Sequence, residues 1–108
     1  MGKKLLGNAF SLGMLDQPEG VDMRVRRIEA DNVPVDAESV VGHADTAALF
    51  SSILGREVLM NRASTSLAVG DELFVGQYNG PRLQEGATSL PPGATIRWLH
   101  VSVHKPSV

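Results

Sequence analysis

A histidine that follows a glycine and sits just ahead of an amphipathic helix is placed to meet an anion. In VVGHADTAALFSSILG, residues 40–55, His43 lies two residues before Asp45, a residue type that caps helices, and Leu49, Phe50, Ile53 and Leu54 then share one helical face. Unpaired backbone amides at such a helix start favour a negative ligand. A phosphate held there would favour the protonated imidazole, ready to supply a proton to a departing oxygen. The plainer alternative is a loop histidine that bonds backbone ahead of a helix, and spacing by itself favours it.

Arg82 and Glu85 in GPRLQEG form a second cluster. A loop punctuated by glycine and proline can close over a ligand, with Arg82 as a fork for phosphate and Glu85 as a proton or hydrogen-bond partner. The alternative is an exposed charge pair on a solvated loop. Asn61 and Arg62 make a weaker third pair, at what reads as a strand end facing water. His100 and His104 stand four apart, and along a strand that spacing is about 13 Å, too far for one metal ion. Lys3, Lys4, Arg26 and Arg27 read as solvated charges. The absence of GxSxG, a P-loop and a dinucleotide fingerprint removes the familiar hydrolase, kinase and dehydrogenase readings.

The elements that must position these residues are mostly strands. KKLLG, residues 3–7, predicts a first strand, and NAFSLGML a turn into a short helix. DQPEG is turn chemistry. In VDMRVRRIEA, Val21, Met23 and Val25 alternate with Asp22, Arg24 and Arg26, which predicts a strand with one apolar face and one polar face toward water. DNVPVDAES reads as loop. A helix follows from its cap at Asp45 to its stop at Gly55. REVLM predicts a short strand ending at Asn61 and Arg62, and Gly70 and Asp71 a turn into a strand through Leu73, Phe74 and Val75. NGPRLQEGATSLPPG is too polar and broken for an element. ATIRWLHVSV predicts a last strand, apolar on both sides. The expectation is one domain over residues 1–108, α+β or mixed α/β, with about two helices on a mixed sheet of four or five strands.

Composition narrows the function classes. With 108 residues, 43% of them hydrophobic, and a formal charge of −2, the chain suits one compact core and not the coating of long duplex nucleic acid. A small anion needs only a local cluster of donors. There is no cysteine, which excludes a disulfide scaffold, a thiolate zinc site and a cysteine nucleophile. No segment reaches the roughly 20 apolar residues that span a bilayer, and MGKKLLGNAF lacks a secretory pattern, so the expected location is the cytoplasm.

Taken in order, GNAFSLGML, GHADTA, the NR at 61 and 62, and PRLQEG resemble the viral anti-CRISPR ring nucleases, whose relatives also occur in bacteria beside type III CRISPR systems. Each motif is weak alone, but the collinear set is specific. The resemblance implies a homodimer that degrades cyclic tetra-adenylate, the messenger of type III CRISPR immunity, with no metal or other cofactor. By position it makes His43 the general acid, Arg82 and Glu85 the counterparts of the family's arginine and glutamate, and Asn8, Ser11 and Arg62 holders of the ring's riboses and phosphates. Two departures stand out: Ala44 follows the histidine where viral members often carry an acid, and a proline bends the approach to RLQEG.

The resemblance implies cleavage by the ribose 2′-hydroxyl, giving linear di-adenylates with 2′,3′-cyclic phosphate ends. A binding protein of the same fold that sequesters or senses a cyclic oligoadenylate without cutting it is the alternative. A structural domain without nucleotide ligand is what composition alone allows.

Overall fold

Runs with strand alternation dominate the chain, and in the computed structural model, which describes residues 2–106, they pair into one five-stranded sheet. The strands are β1 (Lys4–Gly7), β2 (Asp22–Ile28), β3 (Glu38–Ser39), β4 (Glu72–Asn79) and β5 (Thr95–His104); the α-helix α1 spans Ala44–Leu54. Their order across the sheet is β2-β5-β4-β1-β3. β1 runs parallel to β3 and β4, and β5 antiparallel to β4 and β2, so the sheet is mixed as expected. The helix expected in NAFSLGML is a 3-10 turn at Leu12–Met14, and a second such turn lies at Ala30–Asn32.

Strand alternation sorts the core onto the two faces of the sheet. One face carries Leu6, Phe74 and Trp98, which pack with Val33, Val41, Ala47, Phe50 and Val58 beneath α1. The other carries Leu5, Leu73, Val75, Val101 and Val103, which pack with Leu67 under Phe10, Met14 and Leu15. β5 is central and buried on both sides, as its sequence predicts. Gly76 is the point of closest approach on the helix face: a Cβ there would lie 2.5 Å from Phe50 and 2.7 Å from Trp98, whose ring centroids are 4.9 Å apart.

Three expectations are corrected. β2 exposes both faces, with Met23 39% and Val25 50% accessible, because it is an edge strand and neither side is covered. REVLM forms no strand; Val58 instead bonds Ser51, its N–H donating to Ser51 Oγ at 2.8 Å, which ties this segment to α1 and not to the sheet. The loop DNVPVDAES contains β3, whose Glu38 and Ser39 pair with Leu5 and Leu6.

Lys3 is also more than a solvated charge. Its backbone N–H donates to Asp71 Oδ1 at 3.0 Å and its ammonium lies 3.1 Å from Oδ2, which also accepts from the Ala68 N–H at 2.8 Å. Burial opposes the Asp71 charge, but the amides of Ala68 and Lys3 and the Lys3 ammonium outweigh it, holding this carboxyl below its ordinary value. This knot joins the starts of β1 and β4 and so sets the parallel register that delivers their far ends.

Candidate functional site

The three parallel strands deliver their carboxyl ends to one edge of the molecule, the place where open α/β sheets gather ligands. β1 leads into Asn8, β3 into Gly42 and His43, and β4 into Tyr78, Gly80 and Arg82. A concavity of about 410 Å³ lies there, lined by His43, Asp45, Thr46, Tyr78, Gly80, Arg82 and Leu83.

The helix begins two residues earlier than its sequence suggests. His43, not Asp45, is the N-cap: its backbone is extended at φ −132° and ψ 133°, and its carbonyl accepts the Ala47 N–H at 3.0 Å. Asp45 falls in the first turn, where its charge still complements the helix dipole. The His43 side chain makes no cap bond and is exposed beside the cleft. Gly55 ends the helix as expected, in the left-handed conformation at φ 69°.

What fixes the early start is a clamp on Gly42. The Gly42 N–H donates to Asn8 Oδ1 at 3.3 Å, and the Gly42 carbonyl accepts from Arg62 Nε at 3.2 Å. Asn61 reinforces it: its N–H donates to the Val41 carbonyl at 2.8 Å and its side-chain amide to the Ser39 carbonyl at 2.9 Å. Thus Asn8 and Arg62, from segments distant in sequence, converge on the residue before His43, and Asn61 holds the Ser39–Val41 backbone that leads into it. The NR pair is no idle strand end.

Across the cleft, the Tyr78 hydroxyl donates to the Pro81 carbonyl, which pins the start of the loop carrying Arg82. Arg82 lines both this cleft and a neighbouring concavity of about 570 Å³; Glu85 lines only the second. Ser11 precedes the 3-10 turn at Leu12–Met14, its side chain unbonded there and outside the cleft lining. The structure therefore puts His43 and Arg82 on one cleft, with Asn8 and Arg62 behind it on the Gly42 backbone, and leaves Asn8, Arg62, Glu85 and Ser11 outside its lining. Tyr78 and Thr46 are lining residues that sequence reasoning missed; the alternation of β4 was the available signal for Tyr78.

His100 and His104 go to separate partners. His100 meets Arg26 and Glu72, while His104 Nε2 lies 2.9 Å from Ser102 Oγ. No helix among the described residues is long and apolar enough to cross a membrane.

A family model described as STIV B116-like matches residues 5–91, a span that includes every candidate residue named above from Asn8 to Glu85. Among solved structures, B116 of Sulfolobus turreted icosahedral virus is similar, with a TM-score of 0.76 at 23% sequence identity, covering 94% of this chain and 99% of that one. At that identity the likeness is one of fold. The comparison with curated proteins found no match.

Proposed function

The chain belongs to the STIV B116-like family, and from that premise we propose that it is a metal-independent ring nuclease acting on cyclic tetra-adenylate. The observation that carries this reading is the clamp: Asn8 and Arg62 hold Gly42 so that His43 stands at the amino end of α1 facing Arg82 across one cleft. These are four of the six residues that the family resemblance singles out.

RNA brings its own nucleophile, so the protein's task is small. A ribose 2′-hydroxyl placed in line attacks the phosphorus and gives up its proton to water; the P–O5′ bond breaks and the 5′ oxygen takes the His43 proton; Arg82 and the first-turn amides of α1 stabilise the charge that develops. The product ends in a 2′,3′-cyclic phosphate. A cleft of about 410 Å³ suits part of a four-nucleotide ring. A two-fold homodimer would supply a second identical cleft, giving two cuts and linear di-adenylates.

One observation favours the second reading, a protein that binds the ring without cutting it. Glu85 lies outside the lining of the His43 cleft, whose one lining carboxylate is Asp45 in the first turn of α1.

The test is incubation with cyclic tetra-adenylate in excess EDTA, with products resolved by liquid chromatography and mass detection. The ring-nuclease reading expects linear di-adenylates, and a His43→Ala variant slowed about 10²- to 10⁴-fold with binding retained. Intact ligand with a raised melting temperature would support the binding reading. Intact ligand with no thermal shift would overturn both.

A further inference from the structure

The chain carries three phenylalanines, one tryptophan and one tyrosine, and four of these aromatic side chains are spent in the core. Phe50, Phe74 and Trp98 are buried in the cluster beneath α1, and Phe10 packs on the cluster of the opposite face. Tyr78 is half-buried and lines the His43 cleft, where it is the one aromatic side chain among the described residues.

Strand alternation fixes which way Tyr78 faces. Phe74, Gly76 and Tyr78 stand at every second position of β4, so Tyr78 shares the α1 face with Phe74, and Ile96 is its cross-strand neighbour on β5. Phe50 of α1 lies over Gly76, but Tyr78 is two residues further on, at the end of the strand, where His43 and the first-turn residues Asp45 and Thr46 line the same cleft. The side chain is also tethered. Its hydroxyl donates to the Pro81 carbonyl, so the polar atom is committed and what remains for the cleft is the face of the phenol ring. Leu83 is the other large apolar side chain in the lining.

We infer that Tyr78 is a stacking platform for a purine base of the ligand, beside the His43 and Arg82 groups that take its phosphate. This rests on the proposed binding of a cyclic oligoadenylate and adds to it the recognition of the base. Phosphate and ribose are the same in every ribonucleotide, so His43, Arg82 and the helix amides do not tell adenine from uracil. An aromatic face does, because the larger purine stacks more strongly. One base on one aromatic side chain is worth about 5- to 150-fold in affinity.

Two substitutions separate the aromatic face from the tether. Tyr78→Phe removes the hydroxyl and keeps the face; Tyr78→Leu removes both. The experiment measures Kd for cyclic tetra-adenylate and, separately, for cyclic tetra-uridylate by titration of the full chain and of each variant. Tyr78→Leu is expected to bind the adenylate about 5- to 100-fold more weakly than Tyr78→Phe does. The wild-type preference for adenylate over uridylate is expected to persist in Tyr78→Phe and to vanish in Tyr78→Leu. That preference is the readout a merely structural role would not move, since a slackened loop weakens both ligands alike. Equal Kd values for the two variants, or a wild-type protein that binds the two cyclic nucleotides equally, would overturn the stack and leave the proposed function standing; the second result needs no variant to fold. Binding of neither by the wild-type protein would overturn both.

Discussion

Gly76→Ala tests whether α1 is seated on the sheet as tightly as its position requires. The added Cβ would stand 2.5 Å from Phe50 Cζ and 2.7 and 2.9 Å from Trp98 Cζ3 and Cη2, where carbon contacts normally sit near 3.5–4.0 Å, so both rings must withdraw by about 1 Å. Phe50 has no room, being fully buried in an interior packed at crystal density, and Trp98 is 7% exposed. Overpacking of this kind costs about 1–3 kcal/mol, and the entropy that alanine removes from the unfolded chain offsets roughly 0.5–1 kcal/mol of it. The net expectation is a loss of about 1–2 kcal/mol, read as a melting temperature lower by about 4–10 °C. Phe50→Leu removes the Cζ atom nearest the new methyl, so the double variant should lose less than the sum of the two single losses. An unchanged or raised melting temperature for Gly76→Ala, or strict additivity with Phe50→Leu, would refute this account of the helix seat.

Two further outcomes follow from the groups that position the cleft. Because the Asp71 carboxyl is held below its ordinary value in the fold, the unfolded chain takes up its proton first as pH falls. Its stabilisation is therefore complete at neutral pH and is lost through the acid range below about pH 4; Asp71→Asn should flatten the acid limb of melting temperature against pH and cost about 1–3 kcal/mol at neutrality. Asn8→Ala removes the acceptor for the half-buried Gly42 N–H, which should cost about 0.5–1.5 kcal/mol and speed amide hydrogen exchange in the first turn of α1 before it affects β5; exchange unchanged in that turn would count against the clamp.

The legible and illegible parts of this chain divide by the range of the interaction that decides them. α1 and β5 were readable because local periodicity fixes them: Leu49 and Phe50 fall on one helical stripe, and Val101 and Val103 on one strand face. The start of α1 was misread by two residues because Asp45 has the better intrinsic cap chemistry, while Asn8 and Arg62, which decide the matter, act across 34 and 20 residues of sequence. REVLM has strand composition but meets Ser51 before any strand edge. β2 carries an alternating pattern that predicts one buried face, yet edge position leaves both faces open, and alternation alone does not say whether anything covers a strand. His43, Arg82 and Arg62 stand out by residue type and spacing and Asn8 only through the family resemblance; no local pattern says that strand ends bring them together.

The same distinction locates the weak side of the cleft. The His43 side rests on the ends of β1 and β3 and a helix, whereas Arg82 stands on a loop without regular structure whose start is held by the bond from Tyr78 to the Pro81 carbonyl. Tyr78→Phe deletes only that hydroxyl at a partly exposed site, so it should change stability by no more than about 0.5–1.5 kcal/mol. Its effect on the proposed reaction should be larger and of one kind. Once Arg82 is no longer pre-positioned, binding must order the loop, at a cost of about 0.5–1.5 kcal/mol per immobilised side chain, which corresponds to a roughly 2- to 10-fold rise in Kd for cyclic tetra-adenylate. Proton donation by His43 once the ring is bound should change little, because His43 is positioned from the opposite wall. Single-turnover rates at saturating ligand, set beside Kd by titration, separate the two. A Kd unchanged with a collapsed single-turnover rate would place Tyr78 in the chemistry and overturn its role as a support for the loop.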